Sequence, residues 1–96
     1  MAVNNYEAMI VYSMKNGEEA ITALKERFQT LIEQEGTLRE VKEWGKRYLK
    51  YLINKESEGY YVLYFFSAPP EFPAELERVA GITDGVLRLL VTREGQ

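Results

Sequence analysis

The side chains able to do chemistry in this chain are carboxylates and bases: 15 Asp and Glu, 12 Lys and Arg, and neither a His nor a Cys. That inventory excludes thiolate nucleophiles, imidazole general bases, Ser-His-Asp triads and zinc sites of the Cys/His type. Disulfide redox chemistry goes with them. Carboxylate pairs remain for general acid–base work, but their positions give them simpler roles. Glu18/Glu19 and Glu75/Glu77 stand where helices begin, and negative charge there suits the helix dipole. Glu33 and Glu35 stand near a helix end and are read as solvated. Gly45 and Gly59 are isolated and neither opens a helix, so no phosphate-cradling loop follows a strand. Asp84-Gly85 is a turn. No nucleophile, base and oxyanion donor come together. The expectation is a protein that is not an enzyme and takes no cofactor, no metal and no small-molecule substrate.

The bases are more informative. Six of the twelve lie between Arg39 and Lys55 (Arg39, Lys42, Lys46, Arg47, Lys50 and Lys55) against Glu40 and Glu43, a local charge of +4 that leaves −7 for the rest of a chain whose net is −3. Concentrated charge creates a field that the global sum conceals. A solvated edge strand kept soluble by long basic side chains is the plainer reading of the same residues.

At 96 residues and 46% hydrophobic content the chain has the size and composition of one domain, residues 1–96, able to fold without staples. No basic stretch followed by an apolar run marks a secretory signal at the start, and the run Tyr60 to Phe66 is far short of the roughly 18–20 residues a membrane helix needs. A soluble, cytoplasmic protein is expected. Tyr6 to Ser13 reads as a strand. Asn16 offers an N-cap with Glu19 completing a capping box. Ile21, Leu24, Phe28, Leu31 and Ile32 then form one apolar stripe of a helix over 17–35, closed by a left-handed Gly36. Leu38 to Ile53 is a long strand with a bulge or bend at Gly45. A six-residue polar connection, Asn54 to Gly59, leads into the strand Tyr60 to Ala68. Pro69, Pro70 and Pro73 start a short helix with Phe72, Leu76, Val79 and Ala80 on one face, closed by Gly81, and Val86 to Arg93 is the last strand. The order β-α-β-β-α-β defines an α+β, ferredoxin-like sandwich: a four-stranded antiparallel sheet with two helices on one face, the first and third strands central.

Two helices roof only one face, so the central strands should alternate apolar and polar. They do not. The helix-free face is expected to expose Met9, Val11, Tyr61, Leu63, Phe65 and Leu90, a contiguous patch of the kind that marks an interaction surface. No spare segment of chain looks long enough to cover it.

The middle of the chain carries a resemblance. Glu43-Trp44-Gly45-Lys46-Arg47-Tyr48-Leu49-Lys50-Tyr51-Leu52-Ile53, followed by Lys55 and Gly59-Tyr60-Tyr61-Val62-Leu63, resembles the signature hairpin of the bacterial small-ribosomal-subunit protein six family. Tyr6-Glu7 and the stretch Gly85 to Val91 match that family's pattern and spacing, so the similarity spans Tyr6 to Arg93. The resemblance implies a ribosomal protein that binds the central domain of small-subunit rRNA together with small-subunit protein eighteen. It implies RNA- or partner-facing roles for Lys46 and Arg47, which match the basic pair after the hairpin Gly, and for Arg88, which matches the last-strand Arg. Arg93 is a further candidate. Where the family commonly reads Leu-Ala-Tyr-Pro-Ile, this chain has Leu49-Lys50-Tyr51-Leu52-Ile53, so Lys50 can add a phosphate contact and the absent Pro straightens the strand. Asn4 and Asn5 stand where the family often has bases. The isolated chain is expected to be a monomer. The rival reading is a stand-alone module that homodimerises by packing two open sheet faces together.

Overall fold

Tyrosine, valine and isoleucine crowd the first ten-residue stretch, and it forms strand β1 (Asn4–Ser13). The computed structural model describes residues 3–94. After β1 come α1 (Glu18–Glu35), β2 (Thr37–Ile53), β3 (Glu56–Ala68), α2 (Phe72–Gly81) and β4 (Val86–Arg93). The strands form one antiparallel sheet in the order β2-β3-β1-β4. The expected β-α-β-β-α-β sandwich is what the chain adopts, with β1 and β3 central.

Period-two alternation sends Ala8, Ile10 and Tyr12 of β1 and Val62, Tyr64 and Phe66 of β3 under the helices, where they meet Ile21, Phe28 and Ile32 of α1 and Phe72 and Leu76 of α2. Phe66 packs between Tyr6, at 5.6 Å between ring centroids, and the edge of Phe72, at 5.7 Å. The core holds one polar pair. The hydroxyls of Tyr12 and Tyr64 are 2.6 Å apart and buried, and burial pushes both phenols far above their ordinary pKa. Each hydroxyl is therefore the other's partner. Tyr12→Phe alone orphans the Tyr64 hydroxyl and is expected to cost about 1–3 kcal/mol in urea unfolding, whereas the double change to Phe should come out nearly neutral.

Local details differ from expectation in three places. Helix α1 is capped by Gly17 at φ 86, with no side-chain cap, so Asn16 is not the cap. The turn out of β1, in which the Gly17 amide donates to Met14, sets the helix start one residue later, out of reach of the Asn16 side chain. Gly36 is extended, at φ −161 and ψ −151, rather than left-handed. Glycine is needed there because a Cβ would stand 2.0 Å from the Ser67 carbonyl oxygen. The hairpin connection is a two-residue turn, not six: Asn54 and Lys55 lie at φ 51 and 66, and β3 begins at Glu56. Positive φ at both central residues matches the twist of paired strands. The bulge at Gly45 is present: Glu43 pairs with Val62 and Gly45, at φ 81, with Tyr61, leaving Trp44 extra.

Candidate functional site

The helix-free face can be read from the ladder. Val11, Met9 and Glu7 of β1 stand opposite Tyr61, Leu63 and Phe65 of β3, and opposite Arg88, Leu90 and Thr92 of β4. On the far side of β3, Gly45, Lys42 and Glu40 of β2 complete the same rows. The expected patch is present only in part. Leu90 is 45% exposed and Met9, Tyr61 and Phe65 are half-buried, but Val11 and Leu63 are buried, although neither belongs to the core beneath the helices.

The cover over Val11 comes from β2 itself. Beyond Tyr48 its regular pairing with β3 lapses until Ile53. Leu49, Lys50, Tyr51 and Ile53 line a cleft of about 320 Å³ with Tyr61 and Arg88, so the end of the hairpin arches over the sheet towards β4. Gly59 makes this possible. A Cβ there would meet Val11 Cγ1 at 2.4 Å and Leu49 Cδ2 at 3.5 Å, so Leu49 settles beside Val11 across a position with no side chain. The expectation that no segment could cover this face is thus corrected. Lys42 adds partial cover, its ammonium lying 5.4 Å from the centroid of the Phe65 ring.

The expected basic residues are all exposed, but they do not form one cluster. Lys50 and Arg88 share the cleft. Arg47 stands opposite Gly59 on the helix-free face, its guanidinium stacked 4.6 Å from the Trp44 ring centroid. Lys46, opposite Tyr60, belongs to the other face and pairs with Glu58 at 3.4 Å. Arg93 stands opposite Tyr6, five residues along β1 from the Val11 that faces Arg88, roughly 17 Å away at strand rise and on the helix side. Adjacent strand residues point to opposite faces, so Lys46 and Arg47 present their charges on the two sides of the β2 edge.

Sequence reasoning did not single out the aromatic hairpin end. Tyr48, Tyr51 and Leu52 are 78%, 74% and 69% exposed, with Lys50 over the Tyr51 ring at 5.7 Å. Their signal was a long β-prone run extending past the sheet it pairs with. At the opposite end of the face Arg39, in another irregularity of β2, forms an ion pair with Glu94, whose amide donates to Asn5.

Among the described residues no group of three or more carboxylates is placed to hold a metal ion, and no helix is long and apolar enough to cross a membrane. The geometry is that of a ferredoxin-like sandwich presenting an aromatic, basic hairpin over a half-covered sheet face. Comparison with known proteins gives the family. The family described as Ribosomal protein S6 matches residues 5–93. The small ribosomal subunit protein bS6 of Clostridium novyi (strain NT) is 51% identical over 90 residues, covering 93% of this chain and 95% of that protein. The protein of the same name from Caldanaerobacter subterraneus subsp. tengcongensis is 51% identical over 92 residues, covering 95% and 97%. The crystal structure of 30S ribosomal protein S6 from Thermotoga maritima matches with a TM-score of 0.90 at 28% identity, over 97% of this chain and 89% of that one. The chain belongs to the ribosomal protein S6 family. It is a structural protein of the small ribosomal subunit, not an enzyme, and its place is the cytoplasmic ribosome.

Proposed function

We propose that this chain binds the central domain of small-subunit rRNA jointly with a small basic ribosomal protein, the partner that the family resemblance gives as small-subunit protein eighteen. The observation that carries this reading is the polarity of the helix-free face. Arg47, Lys50 and Arg88 lie at the hairpin end, Met9 and Leu90 with Lys42 in the middle row, and Phe65 in the next row between Glu7 and Glu40, with Glu94 beyond it paired to Arg39. A basic protein suits the acidic end and the apolar middle. Phosphates suit the basic end, where contacts add affinity and orientation without reading bases. A chain of net charge −3 can take part in RNA binding this way when its partner supplies most of the positive charge. Each large apolar side chain buried by the partner contributes roughly 1.5–3 kcal/mol before ordering costs.

Phe65 supplies the test, since it lies outside the core beneath the helices. Phe65→Asp is expected to leave the domain folded but with a lowered melting temperature, since it sets a carboxylate between Glu7 and Glu40, and to lose partner binding about a hundredfold or more, a loss on the scale of a central interface residue. Titration of labelled partner would read this, and native affinity in the variant would count against the assigned surface. Sedimentation decides the rival. A concentration-dependent dimer that Phe65→Asp dissolves would point to self-association instead.

A further inference from the structure

No residue of β2 is buried, so packing alone holds this seventeen-residue edge strand only weakly to the helix layer. Besides its ladder to β3 and the half-buried Leu38 and Val41, one polar side chain ties it to α1. Glu43 Oε1 accepts a hydrogen bond from Lys25 Nζ of α1 at 2.7 Å and another from the Tyr60 hydroxyl of β3 at 2.6 Å. Lys25 also lies 5.6 Å from the centroid of the Tyr60 ring, and Glu18 lines the same small cleft. The bonds from Lys25 and Tyr60 hold the Glu43 carboxyl below the usual carboxylate range, and donating to it pushes the Tyr60 phenol up.

The place of this junction in the ladder gives it consequence. Glu43 is the last residue paired in phase before Trp44 is left over and Gly45 resumes opposite Tyr61. A slip of one residue in a strand turns every following side chain to the other face. Tyr60 stands two residues from Val62 on the same face, so its hydroxyl can reach Glu43 when Glu43 is opposite Val62 and not when the strand has slipped by one.

We propose that Glu43 is a positioning residue: through Lys25 and Tyr60 it holds in register the bulge that Gly45, at φ 81, makes possible, and thereby places Arg47, with its Trp44 stack, and Leu49 on the helix-free face. The register claim stands on this geometry, while its effect on RNA affinity rests on the function proposed above.

The experiment has two arms. In solution NMR, cross-strand contacts from Gly45 to Tyr61 and from Arg47 to Gly59 report the register. In Glu43→Ala they are expected to weaken, with amide exchange over 45–49 faster by roughly tenfold as that segment opens locally. Glu43→Gln, which keeps a side-chain oxygen for both donors, should fall between. In the second arm, affinity for a central-domain rRNA transcript loaded with the basic partner is measured for Glu43→Ala, Arg47→Ala and the double variant. Positioning makes the losses less than additive, because a displaced Arg47 cannot be lost twice, and fully additive losses overturn the proposal. Native cross-strand contacts with unchanged exchange in Glu43→Ala overturn it too, whatever the RNA does. Shifted contacts in a protein without rRNA affinity would uphold the register role and remove the functional reading instead.

Discussion

Alanine at Arg47 and Arg88 together is expected to lower the affinity of the partner-loaded protein for small-subunit rRNA roughly a hundredfold at moderate salt, since a hydrogen bond to a charged group contributes about 1.5–3 kcal/mol. Both guanidinium groups are exposed on the helix-free face. Arg47 is held against the Trp44 ring, which orders the side chain before binding and leaves its N–H edge available. Arg88 stands beside Lys50 at the cleft, where the two positive charges reinforce one another at a phosphate. Each lost phosphate contact should also reduce the slope of log affinity against log salt by about 0.7–0.9. Binding isotherms at four salt concentrations measure both effects. Arg93→Ala is the internal control, because Arg93 lies on the other face at the far end of β4. An equal loss in Arg93→Ala, or none in the double variant, would move the RNA site elsewhere.

Gly36→Ala is expected to destabilise the fold by about 3 kcal/mol, at the upper end for overpacking a tight contact. The added methyl would stand 2.0 Å from the Ser67 carbonyl oxygen and 3.0 Å from Ala68 Cβ, and the nearest of these atoms is backbone, which has no rotamer by which to retreat. At a few degrees per kcal/mol for a domain of this size, the melting temperature should fall by roughly 12–24 °C. Gly17 offers the contrast. A Cβ there meets nothing, so the penalty of Gly17→Ala is confined to its positive φ. Calorimetry on the two variants separates crowding from backbone conformation. Near-native melting of Gly36→Ala would show that the α1–β2 connection yields more readily than its contacts suggest.

Much of this architecture is legible in the amino-acid order, because its strongest signals are local. Ile21, Phe28 and Ile32 recur at helical spacing and are buried in α1, and the prolines before α2 place Pro73 in its first turn. Gly45 announces its bulge because a lone glycine in a β-prone run has few other uses. The failures have different causes. The turn at Asn54-Lys55 lacks the glycine that usually follows the asparagine, so a tight connection resembled a polar loop. Burial of Val11 and Leu63 depends on contacts between residues far apart in the chain. Leu49 settles beside Val11 only because Gly59, ten residues further on, leaves room. Nothing local to Val11 records that arrangement. The separation of Lys46 from Arg47 was readable from strand alternation, once the two are considered by face rather than as neighbours in a basic run.

The Arg39–Glu94 pair joins the strand at one margin of the sheet to the chain just beyond the strand at the other, passing over both central strands. Both side chains are more than a third exposed, and an ion pair in that setting contributes about 0–1 kcal/mol. Opening it therefore costs little. A basic group brought to this end of the sheet could replace Arg39 at Glu94, and an acidic one could replace Glu94 at Arg39, in either case freeing the displaced side chain at small cost.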